Sequence, residues 1–175
     1  RANFKDKSSM DLLRWQFGGG KEAWPSAFPS PQADKPPARV DAGLRVTLVG
    51  HATYLIQTGG LNILMDPVWS DRASPVSFAG PKRVNAPGIA LVDLPKIDAI
   101  LLTHNHYDHM DMATLSQLAK AFAPRIIVPL GNDAILRAAD PELAPLLSAH
   151  DWGEAVALSD RVRVVLEPTL HWSAR

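Results

Sequence analysis

Residues 103–109 read Thr-His-Asn-His-Tyr-Asp-His and directly follow the largely apolar run 97–102. Three imidazoles and one carboxylate, those of His104, His106, Asp108 and His109, fall within six positions at the end of what reads as a strand. Borderline divalent ions such as zinc favour nitrogen and oxygen ligands, and a His/Asp set without Cys is more typical of catalytic than of structural zinc sites. His104 and His106 are two apart and project to the same side of an extended chain, so both can reach one ion. Asp108 and His109 can address a second ion nearby, and a carboxylate lowers the repulsion between two close divalent ions. A water held between such ions is acidified to hydroxide while the metals polarise the bond being cut. The plainer alternative is a His-rich solvated loop or a single structural ion.

Two imidazoles leave a tetrahedral ion half-coordinated. His171, in Pro168-Thr169-Leu170-His171-Trp172-Ser173, again follows an apolar run and is the candidate third ligand. Asp66 precedes Pro67 at the end of the run 61–65, where its carboxylate could orient a metal-bound imidazole or simply start an Asp-Pro turn. His51 follows Gly50 between two strand-like runs and reads equally as a support behind the ligands or as a strand-end residue with one hydrogen bond. His150 reads as structural.

Regular structure must position these groups. Residues 46–49, 53–57 and 61–65 are β-rich runs, with Thr58-Gly59-Gly60 as the turn between the last two, so a hairpin or meander is expected. Residues 67–95 form a long proline-punctuated loop of the length that is more often functional than idle. Asp111 can cap a helix carrying Leu115, Leu118, Ala119 and Phe122 at helical spacing. Strands at 125–129, 147–150, 156–158 and 162–166 and a short helix at 133–139 complete a mixed α/β reading. Residues 1–43, with Gly18-Gly19-Gly20 and scattered prolines and aromatics, read as an irregular arm, separate from a domain over 44–175.

The 175 residues contain no Cys, which excludes disulfides and thiolate metal sites. Formal net charge is zero, so no global field favours nucleic acid, and no nucleic-acid partner is expected. No apolar run reaches membrane-spanning length and no signal peptide is visible, which leaves the cytoplasm or a membrane surface as the expected location.

The motif His-x-His-x-Asp-His after a strand resembles that of the metallo-β-lactamase superfamily. Further blocks resemble one branch of it: 46–53 with Gly50-His51, Asp66-Pro67, Arg72-Ala73-Ser74-Pro75, Gly80-Pro81-Lys82-Arg83, Leu94-Pro95-Lys96, Val128-Pro129-Leu130-Gly131 and His171-Trp172. That branch is the N-acylphosphatidylethanolamine-hydrolysing phospholipase D family with its bacterial relatives, and the likeness runs in order over 44–175. The resemblance implies an α/β fold, the αβ/βα sandwich, with two Zn2+ ions at one edge of its sheets; iron or manganese would tolerate much the same ligands. It implies His104, His106 and His171 on the first ion, Asp108 and His109 on the second, and Asp66 as an outer support. The family also has a bridging aspartate and a further late histidine, neither of which occurs before Arg175. The chain is therefore expected to be an N-terminal piece, the first half of the sandwich and the start of the second, with an apolar sheet face uncovered and no activity by itself.

For the longer parent, the branch implies hydrolysis of a phospholipid phosphodiester by metal-bound hydroxide. Lys82 and Arg83 could neutralise the phosphate, or form only a solvated loop face. Leu12, Leu13, Trp15, Phe17, Trp24 and Phe28 could anchor the arm at a membrane interface, or pack on the domain or on a homodimer partner. Fold does not fix substrate. A lactonase acting on a sugar phosphate is the alternative enzyme, and a truncated, non-catalytic metal-binding copy is the alternative of another class.

Overall fold

The computed structural model describes residues 8–19, 22, 25–29 and 35–173. Three strands open the domain as an antiparallel meander, β1 (Leu44–Gly50), β2 (Thr53–Thr58) and β3 (Leu61–Met65). The β2–β3 turn is made by Gly59 and Gly60 at φ 55° and 77°, the positive values that a two-residue hairpin loop demands and a side chain would oppose. The connection from β3 then runs through the long loop, where Arg72 and Lys82 pair as an antiparallel bridge.

From β3 onward the sheet is parallel: β4 (Ala99–Leu101), β5 (Arg125–Pro129) and β6 (Leu147–His150) add in chain order. Helix α2 (Met112–Phe122) makes the crossover between β4 and β5, and α3 (Asn132–Ala139) lies between β5 and β6. Helix α2 starts where expected, with the Asp111 side chain accepting from the Thr114 N–H. Cross-strand register places Leu55, Leu64, Ile100 and Ile126 side by side across four strands, and all four are fully buried under Leu115, Leu118 and Leu136 of the helices. Each such side chain contributes roughly 1.5–3 kcal/mol by leaving water.

The opposite face is covered unevenly. The hairpin of β7 (Ala155–Ala157) and β8 (Arg163–Val165) lies against part of it, tied by Arg161 donating to the carbonyls of Asp41 and Gly59 and by Arg125 donating to that of Ala157. On β1, Leu44, Val46 and Leu48 remain 67%, 53% and 56% exposed, a stripe of apolar side chains on an edge strand. This is the half-sandwich with an uncovered sheet face that the resemblance implies.

The segment 1–43 is not uniformly irregular. Ser9–Phe17 forms helix α1, opened by a capping box in which Ser8 and Asp11 exchange side-chain and backbone hydrogen bonds. The glycines and prolines that dominate the composition lie outside this stretch. Leu13, Trp15, Phe17 and Phe28 are largely exposed, while Trp24 and the Leu12 side chain lie outside the described residues. No helix of the described residues is long and apolar enough to cross a membrane.

Candidate metal centre

Four segments build the site: the β1–β2 turn carries His51, the residue after β3 is Asp66, the loop after β4 carries Thr103 to His109, and the segment after β8 carries His171. The parallel strands β3 and β4 end together, as Met65 pairs with Leu101 and the Asp66 N–H donates to the Leu101 carbonyl at 2.9 Å. Loops at the C-terminal ends of parallel strands are the usual place for ligands in such sheets. His51 and Asp66 both hold positive φ, 51° and 42°, a conformation that non-glycine residues keep only where their surroundings enforce it. The loop closes on itself where the N–H groups of His109 and Met110 donate to the His106 carbonyl.

Two trios of candidate donors result. His104, His106 and His171 each present one ring nitrogen within 4.8 Å of the others, and His51, Asp108 and His109 do the same with their own donor atoms. In the first trio, His171 Nε2 stands 3.2 Å from His106 Nδ1, and the Trp172 ring packs edge-on against His106 at 4.5 Å. In the second, His51 Nε2 is 2.7 Å from Asp108 Oδ2, and His109 Nε2 is 3.7 Å from the same oxygen. The trios adjoin through the His104 and His109 rings, whose centroids are 4.0 Å apart.

Electrostatics suit a cation. Burial, helped by the neighbouring His109, His106 and His171, brings His104 down to about 4, so its ring is neutral at pH 7, the form that binds metal. The Asp66 hydrogen bond raises His109 against the opposing effect of burial. Asp108 stays below the usual carboxylate range: burial pushes it up, but its own backbone N–H, His51 and His109 together outweigh that. Nε2 of His104 and Nε2 of His106 are buried without a hydrogen-bond partner. Such orphaned polar atoms call for an explanation, and an ion held by the trio supplies one for a nitrogen that faces it. The donors present therefore fit a divalent metal.

Asp66 is almost fully buried, directly behind the histidine loop. One oxygen accepts from His109 Nδ1 at 2.8 Å, and the carboxylate also accepts from the Thr103 N–H and hydroxyl. His51, read from sequence only as a support or a strand-end residue, instead stands beside Asp108 as a third donor of the second trio. His150 bonds Ser148 and Glu154 away from the centre. Sequence reasoning passed over Thr103 and left Trp172 without a role, although both are adjacent to a histidine of the first trio.

Lys82 and Arg83 are not brought to the histidines. Arg83 turns inward to donate to the Val68 carbonyl at 2.8 Å, and its Nη1 approaches the back of Gly50, in the turn that presents His51. A cavity of about 470 Å³ beside the first trio is lined by His104, His171, Trp152 and Trp172 but by neither basic residue. Arg83 is committed to holding the loop, and Lys82 is exposed on the strand-like bridge with Arg72.

An all-histidine trio adjoining a His/Asp/His trio at the strand ends of a mixed sheet is the donor set of a metallohydrolase-type centre. The chain belongs to the beta-lactamase superfamily, whose domain model matches residues 61–175, and its fold is the metallo-β-lactamase type. It is 36% identical over 171 residues to an uncharacterized protein of Mycobacterium tuberculosis, covering 97% of this chain and 45% of that protein. It is 45% identical over 93 residues to N-acyl-phosphatidylethanolamine-hydrolyzing phospholipase D 1 of Caenorhabditis elegans, covering 52% of this chain and 26% of that one. Among solved structures it resembles CmlA, a diiron β-hydroxylase from Streptomyces venezuelae, with a TM-score of 0.55 at 26% identity, covering 92% of this chain and 29% of that one. The chain thus spans less than half the length of these relatives.

Proposed function

We propose that this chain carries the metal-binding part of a zinc-dependent phosphodiesterase of phospholipase D type, acting on N-acylphosphatidylethanolamine-like lipids. The observation that carries the reading is the pair of trios, His104/His106/His171 and His51/Asp108/His109, adjoining at one strand edge. The likeness of about half of the chain to the nematode phospholipase D supports the substrate class. The reading is made for the protein at the length of its relatives, with a phospholipid substrate met at a membrane surface.

When bound, paired divalent ions would acidify a water and draw charge from the phosphoryl group. The protein's part is to hold neutral imidazoles toward the ions, to keep Asp108 ionised between His51 and His109, and to fix both rings that touch the Asp66–Thr103 pair. The cavity beside His104 and His171, walled by Trp152 and Trp172, gives the substrate a partly apolar approach.

The test is an assay of the longest open reading frame encoding the chain, with N-acylphosphatidylethanolamine, phosphatidylcholine and a sugar-phosphate lactone as parallel substrates. Release of N-acylethanolamine, abolished by chelator and restored by zinc, is the expected result. Lactone opening without phosphodiester cleavage would overturn the substrate class, and activity indifferent to chelation would overturn the metal.

A further inference from the structure

Thr103 sits between the two trios and belongs to neither. Its hydroxyl lies 2.7 Å from Asp66 Oδ2 and 2.9 Å from His104 Nδ1, while the same Asp66 oxygen is 2.8 Å from His109 Nδ1. The Thr103 N–H fixes the other carboxylate oxygen at 2.8 Å.

The direction of these bonds follows from donor arithmetic. An ionised carboxylate only accepts, and a hydroxyl has one proton to give. Asp66 therefore takes the Thr103 proton and the His109 Nδ1 proton. The Thr103 oxygen is left as an acceptor, so His104 must donate its Nδ1–H to it. That assigns His104 the tautomer with a bare Nε2, and this is the buried nitrogen that has no hydrogen-bond partner. His109 likewise donates through Nδ1, so its neutral ring carries a bare Nε2 on the side of Asp108.

We propose that Thr103 is a positioning residue that extends the reach of Asp66 from the second trio into the first, so that one buried carboxylate sets the ring tautomer of a ligand in each. The inference rests on the reading that the trios hold metal only for its consequence in binding; the tautomers themselves are a property of the metal-free protein. Without the relay, His104 would be free to protonate Nε2 and turn a proton toward the first ion position. Losing a partner of this kind typically weakens metal affinity about 10- to 100-fold.

The experiment compares the wild-type chain with Thr103→Val, which keeps the shape but not the hydroxyl, and Thr103→Ser, which keeps the hydroxyl. Histidine-ring nitrogen NMR of the chelator-treated proteins reads the tautomers, and cobalt titration reads the ions. Wild type and Thr103→Ser should show His104 and His109 both protonated at Nδ1. Thr103→Val should lose the fixed tautomer at His104 alone, and should bind the first cobalt about 10- to 100-fold more weakly with an altered visible spectrum. An unchanged His104 tautomer in Thr103→Val overturns the proposal whatever the metal result. A wild-type protein with the expected tautomers that binds no cobalt overturns the metal reading and leaves the relay standing. If all variants fold and show the tautomer shift but equal cobalt affinity, the claim that the relay prepares the ion site fails.

Discussion

His51 Nε2 and Asp108 Oδ2 stand 2.7 Å apart although 57 residues separate them in the chain. The contact joins the β1–β2 turn to the loop after β4 and completes a second group of three donors. Replacing His51 with Ala should remove one of these donors and leave His104, His106 and His171 in place. In cobalt or zinc titrations the wild-type chain is expected to take up two ions in separable steps. The variant should keep the first step and weaken or lose the second. Equal loss of both would show that His51 acts on the loop as a whole.

Acid should unsettle the metal-free protein through His104. Its folded pKa, brought down to about 4 mainly by burial, lies below the ordinary value near 6.5. Between those values the unfolded chain binds the extra proton and the folded one does not, so stability falls as pH drops from about 6.5 toward 4. His109 has the opposite sign: raised by Asp66, it adds stability that is complete below about 6.5 and is lost as pH rises through its folded value. Urea midpoints of chelator-treated protein measured across this range should decline on the acid side. His104→Gln should flatten that decline, and His109→Gln should flatten the one at higher pH.

Arg39 ties residues 35–43 to the sheet, donating to the Asp98 carboxylate and to the Gly60 carbonyl at 3.1 Å. Asp98 in turn accepts from the Asn62 N–H at 2.8 Å. Charge-assisted hydrogen bonds of this kind are worth about 1.5–3 kcal/mol. Arg39→Met should therefore lower unfolding stability by roughly that amount while leaving metal affinity unchanged. A matching loss of metal binding would mean that the segment supports the centre as well as the sheet.

The apolar stripe on β1 should govern solubility. Leu44, Val46 and Leu48 are each more than half exposed on an edge strand, a surface that invites association. Val46→Lys with Leu48→Lys should raise the concentration at which the chain stays monomeric in sedimentation experiments, with little change in unfolding midpoint. A large destabilisation would show that these side chains are packed in solution.

Much of the architecture was legible because alternation and turn chemistry are local. The Gly59-Gly60 turn, the Asp111 cap and the strand before His104 each announce themselves within a few residues. The candidate donors after β4 were legible for the same reason, since His104, His106, Asp108 and His109 share one loop. His51 was harder: its partner is 57 residues away, and only the pairing of β1 through β4 brings the two together. Arg83 misled because a charge in a loop reads as solvent-facing, whereas its guanidinium is drawn inward by the Val68 carbonyl. Helix α1 was obscured by the glycines and prolines that follow its Ser8–Asp11 signature in the same segment. Thr103 carried only adjacency to His104, and its place between Asp66 and the ring required three-dimensional register.

The six strands of the main sheet lie side by side in the order in which they occur in the chain. A nascent polypeptide emerging from the ribosome would thus always offer each new strand an edge already made, with no later segment needed between two earlier ones. Asp66 is in place before Thr103 and the histidine loop are synthesised, and His171 follows both of the other members of its trio. Assembly from the N-terminus would then finish the second trio before the first, and the earliest cation-competent intermediate would be the one built on His51, Asp108 and His109.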